Sequence, residues 1–137
     1  MDPKRLGSVP VVDTPIRVVI VDDTVHVRRM LRTMLELDGF EVVGDVGTGV
    51  EVIDLVGGGL VADVVVLDER MPDLDGIETA KWVRAAQPDL VVLLYTAFPH
   101  KALELAALEA GIAAVLSKVD GLESLEQEIT CHCSTLR

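Results

Sequence analysis

Val64-Val65-Val66-Leu67-Asp68-Glu69-Arg70-Met71-Pro72-Asp73-Leu74-Asp75-Gly76-Ile77-Glu78 is the stretch around which the chain is organised. Its valine-rich apolar run, closed by charged residues and a proline, predicts a strand buried on both faces of a parallel sheet, with Asp68 at its carboxyl end. Open α/β sheets keep their chemistry at that rim. A carboxylate there, followed by Met71-Pro72 and an acidic turn containing Gly76, is a candidate nucleophile or metal ligand. A strand-end aspartate standing alone would instead be a solvated surface group. Asp68 therefore matters only if other strand ends bring polar groups to the same rim.

Upstream of this strand the pattern alternates. Residues 1–14 show no sustained periodicity and are expected to form a flexible tail. Residues 16–21, Ile-Arg-Val-Val-Ile-Val, form a first strand ending in Asp22-Asp23. From Thr24 to Asp38 the apolar residues Val27, Met30, Leu31, Met34 and Leu35 recur at three and four, one helix face, and Gly39 closes the helix. Residues 41–46 mix charge and glycine into an apolar run, as an edge strand does. Thr48 and Glu51 have capping-box spacing and open a short helix carrying Val52, Ile53 and Val56. Gly57-Gly58-Gly59 follows a helix rather than leading into one, so it reads as a connection and not as a phosphate cradle.

Downstream, Asp75 is placed as N-cap of a helix over 76–86, with Glu78 three residues on, and Gln87-Pro88-Asp89 breaks it. Residues 90–95 form a buried strand ending at Thr96. A helix over about 100–110, Gly111, and a strand over 112–116 lead to Ser117-Lys118. Asp120 and Glu123 start a last helix whose buried side is Leu122, Leu125 and Ile129. Strands alternating with helices predict a doubly wound, five-stranded parallel α/β sheet, of flavodoxin-like (βα)5 form with strand order 2-1-3-4-5. The second and fifth strands, the least apolar, are expected at its edges. The domain is expected to span residues 15–130, with a second tail over 131–137.

The bulk numbers exclude several classes. The 137 residues suit one domain, and the four aromatic residues leave an aliphatic core. With 12 Lys and Arg against 23 Asp and Glu, the net charge of -11 repels nucleic acid and anionic lipid. No segment has the apolar length of a membrane span or the pattern of a signal peptide, so a cytoplasmic protein is expected. Cys131 and Cys133 flank His132 at a spacing tighter than usual for zinc, with no second Cys/His cluster to complete four ligands, and are read as ordinary exposed thiols, a metal or redox role being the lesser alternative. His26 and His100 are read as surface residues, and Trp82 as packing.

If the strands are parallel, one rim collects Asp22 and Asp23 from strand one, Asp68 from strand three, Thr96 from strand four and Lys118 from strand five. Carboxylates brought together repel one another, and a hard divalent cation such as Mg2+ relieves this with oxygen ligands. An ionised aspartate can attack phosphorus; a lysine and a threonine hydroxyl can then stabilise the phosphoryl oxygens.

On these residues the chain resembles the receiver domains of two-component response regulators. The motifs are Val21-Asp22-Asp23, Leu67-Asp68 with Met71-Pro72-Asp73 and Asp75-Gly76, Thr96-Ala97 and Ser117-Lys118, and the resemblance covers residues 16–129. It implies that Asp68 is the phosphoacceptor and Asp23 a direct Mg2+ ligand, with Asp22 holding the metal through water. The backbone carbonyl of Arg70 would be the remaining protein ligand, Thr96 the switch hydroxyl and Lys118 the partner of the phosphoryl group. It implies a sensor histidine kinase as donor, and a self-catalysed transfer rather than turnover of a free substrate. Arg70 and Phe98 would set the lifetime of the phosphoaspartate.

Two positions depart from the family pattern. Val115 stands where many receivers have a switch aromatic, and Val119 where a proline usually follows the lysine. The first motivates an alternative, a receiver-shaped adaptor that binds its partner independently of phosphorylation. Tyr95 could substitute for the aromatic or simply pack under a helix. The Asp22-Asp23 pair speaks against a flavodoxin-like cofactor site, and Asp73-Leu74-Asp75 lies after the wrong strand for an aspartate-nucleophile phosphatase. The output is a separate protein or a domain of a longer regulator. The fourth helix, apolar almost all round, offers with the fifth strand a surface for a homodimer or partner, or a tight alanine-rich contact without one.

Overall fold

The computed structural model describes residues 14–133. Of the two expected tails, residues 1–13 and 134–137 lie outside the described residues. Strands β1 (Arg17–Val21), β2 (Glu41–Val46), β3 (Val64–Leu67), β4 (Val91–Thr96) and β5 (Ala114–Ser117) alternate with helices α1 (Val25–Leu37), α2 (Gly49–Gly57), α3 (Gly76–Ala86), α4 (Lys101–Glu109) and α5 (Gly121–Cys133). A single 3-10 turn, Lys118–Asp120, separates β5 from α5. All four pairings are parallel, in the order 2-1-3-4-5, so β2 and β5 are the edges.

Alternation along the strands divides the core in two. Val19, Val21, Val65, Leu67, Val92 and Leu94 face α2, α3 and α4. Val18, Ile20, Val64, Val66, Leu93 and Tyr95 face α1 and α5. Strands β1, β3 and β4 are thus covered on both sides, as continuous Val and Leu runs require. Tyr95 is the strand residue under a helix, packed with Leu125 and Ile129.

The predicted caps form. Thr48 accepts from the backbone of Glu51 at 3.2 Å, and Asp75 accepts from Glu78 at 2.8 Å. Gly39 leaves α1 at φ 96°, a conformation that favours glycine, while Phe40 N–H reaches Leu35 O. Three expectations need correction. Met30 and Met34 are 57% and 41% exposed, because α1 covers the sheet with the narrower stripe Val27, Leu31 and Leu35. Trp82 lies on the solvent side of α3. Of the two cysteines only Cys131 is exposed; α5 continues far enough to bury Cys133 against the sheet.

Where α5 passes the end of α1, Glu126 lies beside Asp38 and Glu123. Burial first, and then these two carboxylates, push its carboxyl from an ordinary 4.5 up to about 7. The folded protein thus holds this proton to higher pH than the unfolded chain does, and stability falls as pH rises through that window. Glu126→Gln is expected to match the wild type at pH 4 and to exceed it by on the order of 1 kcal/mol above pH 7, allowing for solvent screening. Urea denaturation at both pH values measures this. An equal difference at both would assign the effect to packing.

Candidate functional site

In the order 2-1-3-4-5 the strand order reverses between β1 and β3, and the loops leaving those two strands meet at the carboxyl rim. Asp22 and Asp23 follow β1 and Asp68 follows β3. Carboxylate oxygens of all three lie within 4.8 Å of one another. Asp22 is buried, Asp68 half-buried and Asp23 exposed. The backbone fixes these positions: Asp68 N–H donates to Val21 O at 2.9 Å, and Asp22 N–H to Val46 O at 3.1 Å. Arg28, one turn into α1, donates to the carbonyl of Asp22 at 2.7 Å and pairs with Asp45 on β2. Sequence reasoning did not single out Arg28, since its role depends on β2 lying beside β1.

Lys118, directly after edge strand β5, reaches the trio along the same rim. Its ammonium is 2.9 Å from Asp22 Oδ2 and 3.5 Å from Asp68 Oδ1, and it lies 5.9 Å from the centroid of the Tyr95 ring. The other oxygen of Asp22 accepts from Thr24 N–H at 2.9 Å. Burial works against the ammonium, but the hydrogen bond to Asp22 and the charges of Asp68 and Asp22 outweigh it and raise the lysine above its usual range. Asp68 is held above the ordinary carboxylate range, by burial first; Lys118 opposes this, and Asp22 and Asp23 add to it. Two of the three carboxylates therefore share one ammonium. The donor set fits a hard divalent cation: oxygen atoms only, with exposed Asp23 leaving room for water.

Thr96, at the end of β4, is 3% exposed on the same rim. Its hydroxyl donates to Glu69 Oε1 at 3.2 Å and accepts from Phe98 N–H at 3.2 Å. Phe98 itself is 70% exposed. Arg70 lies exposed in the loop two residues after Asp68.

That loop is closed at both ends. Gly76 N–H donates to Glu69 O at 2.7 Å. Asp73 accepts from Gly49 N–H at 3.1 Å and Val50 N–H at 2.8 Å, capping α2 from a distant part of the chain. These two bonds, with those from Leu74 and its own N–H, outweigh desolvation and lower the carboxyl of Asp73. His26 and His100 are exposed, and His100 Nδ1 caps α4 by accepting from Leu103 N–H at 3.2 Å. Val115 is partly buried against the α4 side, beside a groove of about 290 Å³ lined by Leu105, Leu108 and Ile112. No helix among the described residues is long and apolar enough to cross a membrane.

Fold and rim together define a doubly wound domain with an acidic, lysine-bridged site at its topological switch point. The chain belongs to the response regulator receiver domain family, whose model matches residues 18–130. It is similar to the response regulator MprA of Mycobacterium sp. (strain KMS), 39% identical over 113 residues that make up 81% of this chain and 47% of that protein. To the response regulator GacA of Pseudomonas aeruginosa it is 33% identical over 115 residues, 83% of this chain and 53% of that protein. A crystal structure of a LuxR-family two-component response regulator from Aurantimonas sp. SI85-9A1 superposes with a TM-score of 0.83 at 28% identity, covering 89% of this chain and 87% of that one. The chain spans about half the length of the curated relatives it matches. It is a receiver domain of two-component signalling, a family in which phosphorylation and Mg2+ binding are typical.

Proposed function

We propose that Asp68 accepts a phosphoryl group from the phosphohistidine of a sensor histidine kinase, and that the phosphorylated domain changes its affinity for an output partner. The observation that carries this reading is the convergence of Asp22, Asp23 and Asp68 within 4.8 Å with the Lys118 ammonium 3.5 Å from Asp68. In the proposed step an Asp68 carboxylate oxygen attacks phosphorus while the bond from phosphorus to the histidine nitrogen breaks and the imidazole leaves with the electron pair. Lys118 holds a positive charge where the phosphoryl oxygens gather negative charge, and the Thr96 hydroxyl can donate to one of them. Asp22, Asp23, Asp68 and the Arg70 carbonyl would hold Mg2+, which when bound supplies further charge neutralisation at the phosphoryl oxygens. Each event modifies the protein once, so this is switching rather than turnover.

The reading carries with it a cytoplasmic location. It also makes the α4–β5 face, where Leu105 and Leu108 stand 56% and 72% exposed, the surface that a second copy of the chain or an output protein would contact. At a net charge of -11, direct nucleic-acid binding by this domain is not part of the reading. The phosphate-independent adaptor rests on Val115 alone and does not explain why the rim residues converge.

Intact mass after incubation with acetyl phosphate tests the proposal. The wild type is expected to gain one phosphoryl group in Mg2+ and none in chelator, and Asp68→Asn to gain none. An unmodified wild type that is folded and binds Mg2+ would turn the reading to the adaptor.

A further inference from the structure

We propose that Glu69 is a positioning residue: it holds the Thr96 hydroxyl in the resting protein, and phosphorylation must displace it. The inference rests on the phosphorylation reading above. A threonine hydroxyl has one proton to donate. In this structure that proton goes to Glu69 Oε1 at 3.2 Å, and the oxygen accepts from Phe98 N–H at 3.2 Å. Thr96 is 3% exposed, so the exchange cannot be made freely with water. A phosphoryl group on Asp68 can receive the hydroxyl only if the bond to Glu69 breaks.

Glu69 is well placed for such a latch. Its backbone is tied on both sides: the carbonyl accepts from Gly76 N–H at 2.7 Å, and its N–H donates to the Asp68 carboxylate. The side chain can therefore swing while the main chain stays beside the phosphoacceptor. The two bonding states exclude each other, because the one hydroxyl proton can point to Glu69 or to a phosphoryl oxygen but not to both. Phe98 extends the connection. Its N–H is bonded to the same hydroxyl, so release of Thr96 from Glu69 also frees the first residues of the loop leading to α4. The latch gives this domain a two-state element at the rim that does not need an aromatic at position 115.

The test is a double-mutant cycle on beryllofluoride binding in Mg2+, followed by 19F NMR, with Glu69→Ala, Thr96→Val and the pair. Beryllofluoride stands in for the phosphoryl group on the aspartate. Losing a hydrogen bond to a charged acceptor in the resting state is expected to tighten beryllofluoride binding by roughly tenfold in Glu69→Ala. The same substitution in Thr96→Val is expected to have little effect. Glu69→Gln keeps an acceptor for Thr96 and is expected to gain less than Glu69→Ala. An equal gain in both Thr96 backgrounds would overturn the latch, because Glu69 would then act only by its charge, and so would no gain in either.

A second readout needs neither metal nor beryllofluoride. Three-bond couplings of the Thr96 methyl carbon are expected to report one rotamer in the metal-free wild type and averaging in Glu69→Ala. An unchanged rotamer would overturn the latch while leaving the phosphorylation reading intact. A wild type that binds no beryllofluoride in Mg2+ would overturn that reading, and the latch's role with it.

Discussion

Lys118→Met is expected to slow phosphoryl uptake at Asp68 by on the order of 100-fold, the cost of removing one preorganised donor from a developing oxyanion. Methionine keeps most of the side chain's length while removing the ammonium, and with it the 5.9 Å approach to the Tyr95 ring, so the change takes away the charge with little change in volume. The same substitution is expected to tighten Mg2+ binding. Lys118 is bonded to Asp22 at 2.9 Å and stands 3.5 Å from Asp68, so it occupies the carboxylates a cation would need. Without metal, the variant leaves the buried Asp22 carboxylate with only its bond to Thr24 N–H, and stability should fall by roughly 3 kcal/mol. Added Mg2+ should restore much of it. Mg2+ titration, thermal melts with and without metal, and single-turnover uptake by intact mass separate the three effects. Uptake within threefold of the wild type would remove Lys118 from the chemistry.

The rim was readable because a parallel sheet places every strand's carboxyl end on one side. Five polar groups at four strand ends then become neighbours by topology alone, and the structure brings Asp22, Asp23, Asp68 and Lys118 into contact. Relations between side chains at loop ends were not readable in this way. Thr96 and Glu69 are 27 residues apart, and their bond depends on the course of two loops. Asp73 capping α2 from 24 residues away is a case of the same kind. A lone acidic residue after the strand-end aspartate carries no periodic signal. The capping box at Thr48 did announce the start of α2, but nothing local shows that a second carboxylate completes it.

Misreadings on the helices have a different cause. Apolar spacing of three and four defines an arc, not the width of the contact. Val27, Leu31 and Leu35 lie on the centre of the α1 arc and meet the sheet, while Met30 and Met34 lie toward its margin and stay exposed. At Cys133 the polar neighbours mask the helix spacing from Ile129 that places it one turn further along the buried side of α5, and by sequence alone the segment resembles a tail.

Gly76→Val is expected to disable both the fold and the site, and its cause can be separated from helix propensity. Gly76 opens α3 beneath the loop that follows Asp68. A Cβ there would lie 2.7 Å from the carbonyl oxygen of Asp68, 2.7 Å from Leu94 Cδ1 and 3.0 Å from the Cα of Glu69. Leu94 is fully buried, and the two other contacts are main chain, so no flexible end can yield. Either α3 shifts from the sheet or the loop carrying Asp68 and Glu69 moves, and overpacking of this kind costs about 1 to 3 kcal/mol or more. Displacement of Asp68 also parts the carboxylates, so Mg2+ affinity should fall with stability. Gly57→Ala is the control, since a Cβ at Gly57 meets nothing within 4 Å and the position is the last of α2. Alanine there is expected to stabilise by about 0.5 to 1 kcal/mol through helix propensity, and to leave Mg2+ affinity unchanged. Urea denaturation and Mg2+ titration of both variants decide between the causes. If Gly76→Val loses stability but binds Mg2+ as the wild type does, the sheet has absorbed the clash through Leu94, and the glycine serves the packing of α3 rather than the placing of Asp68.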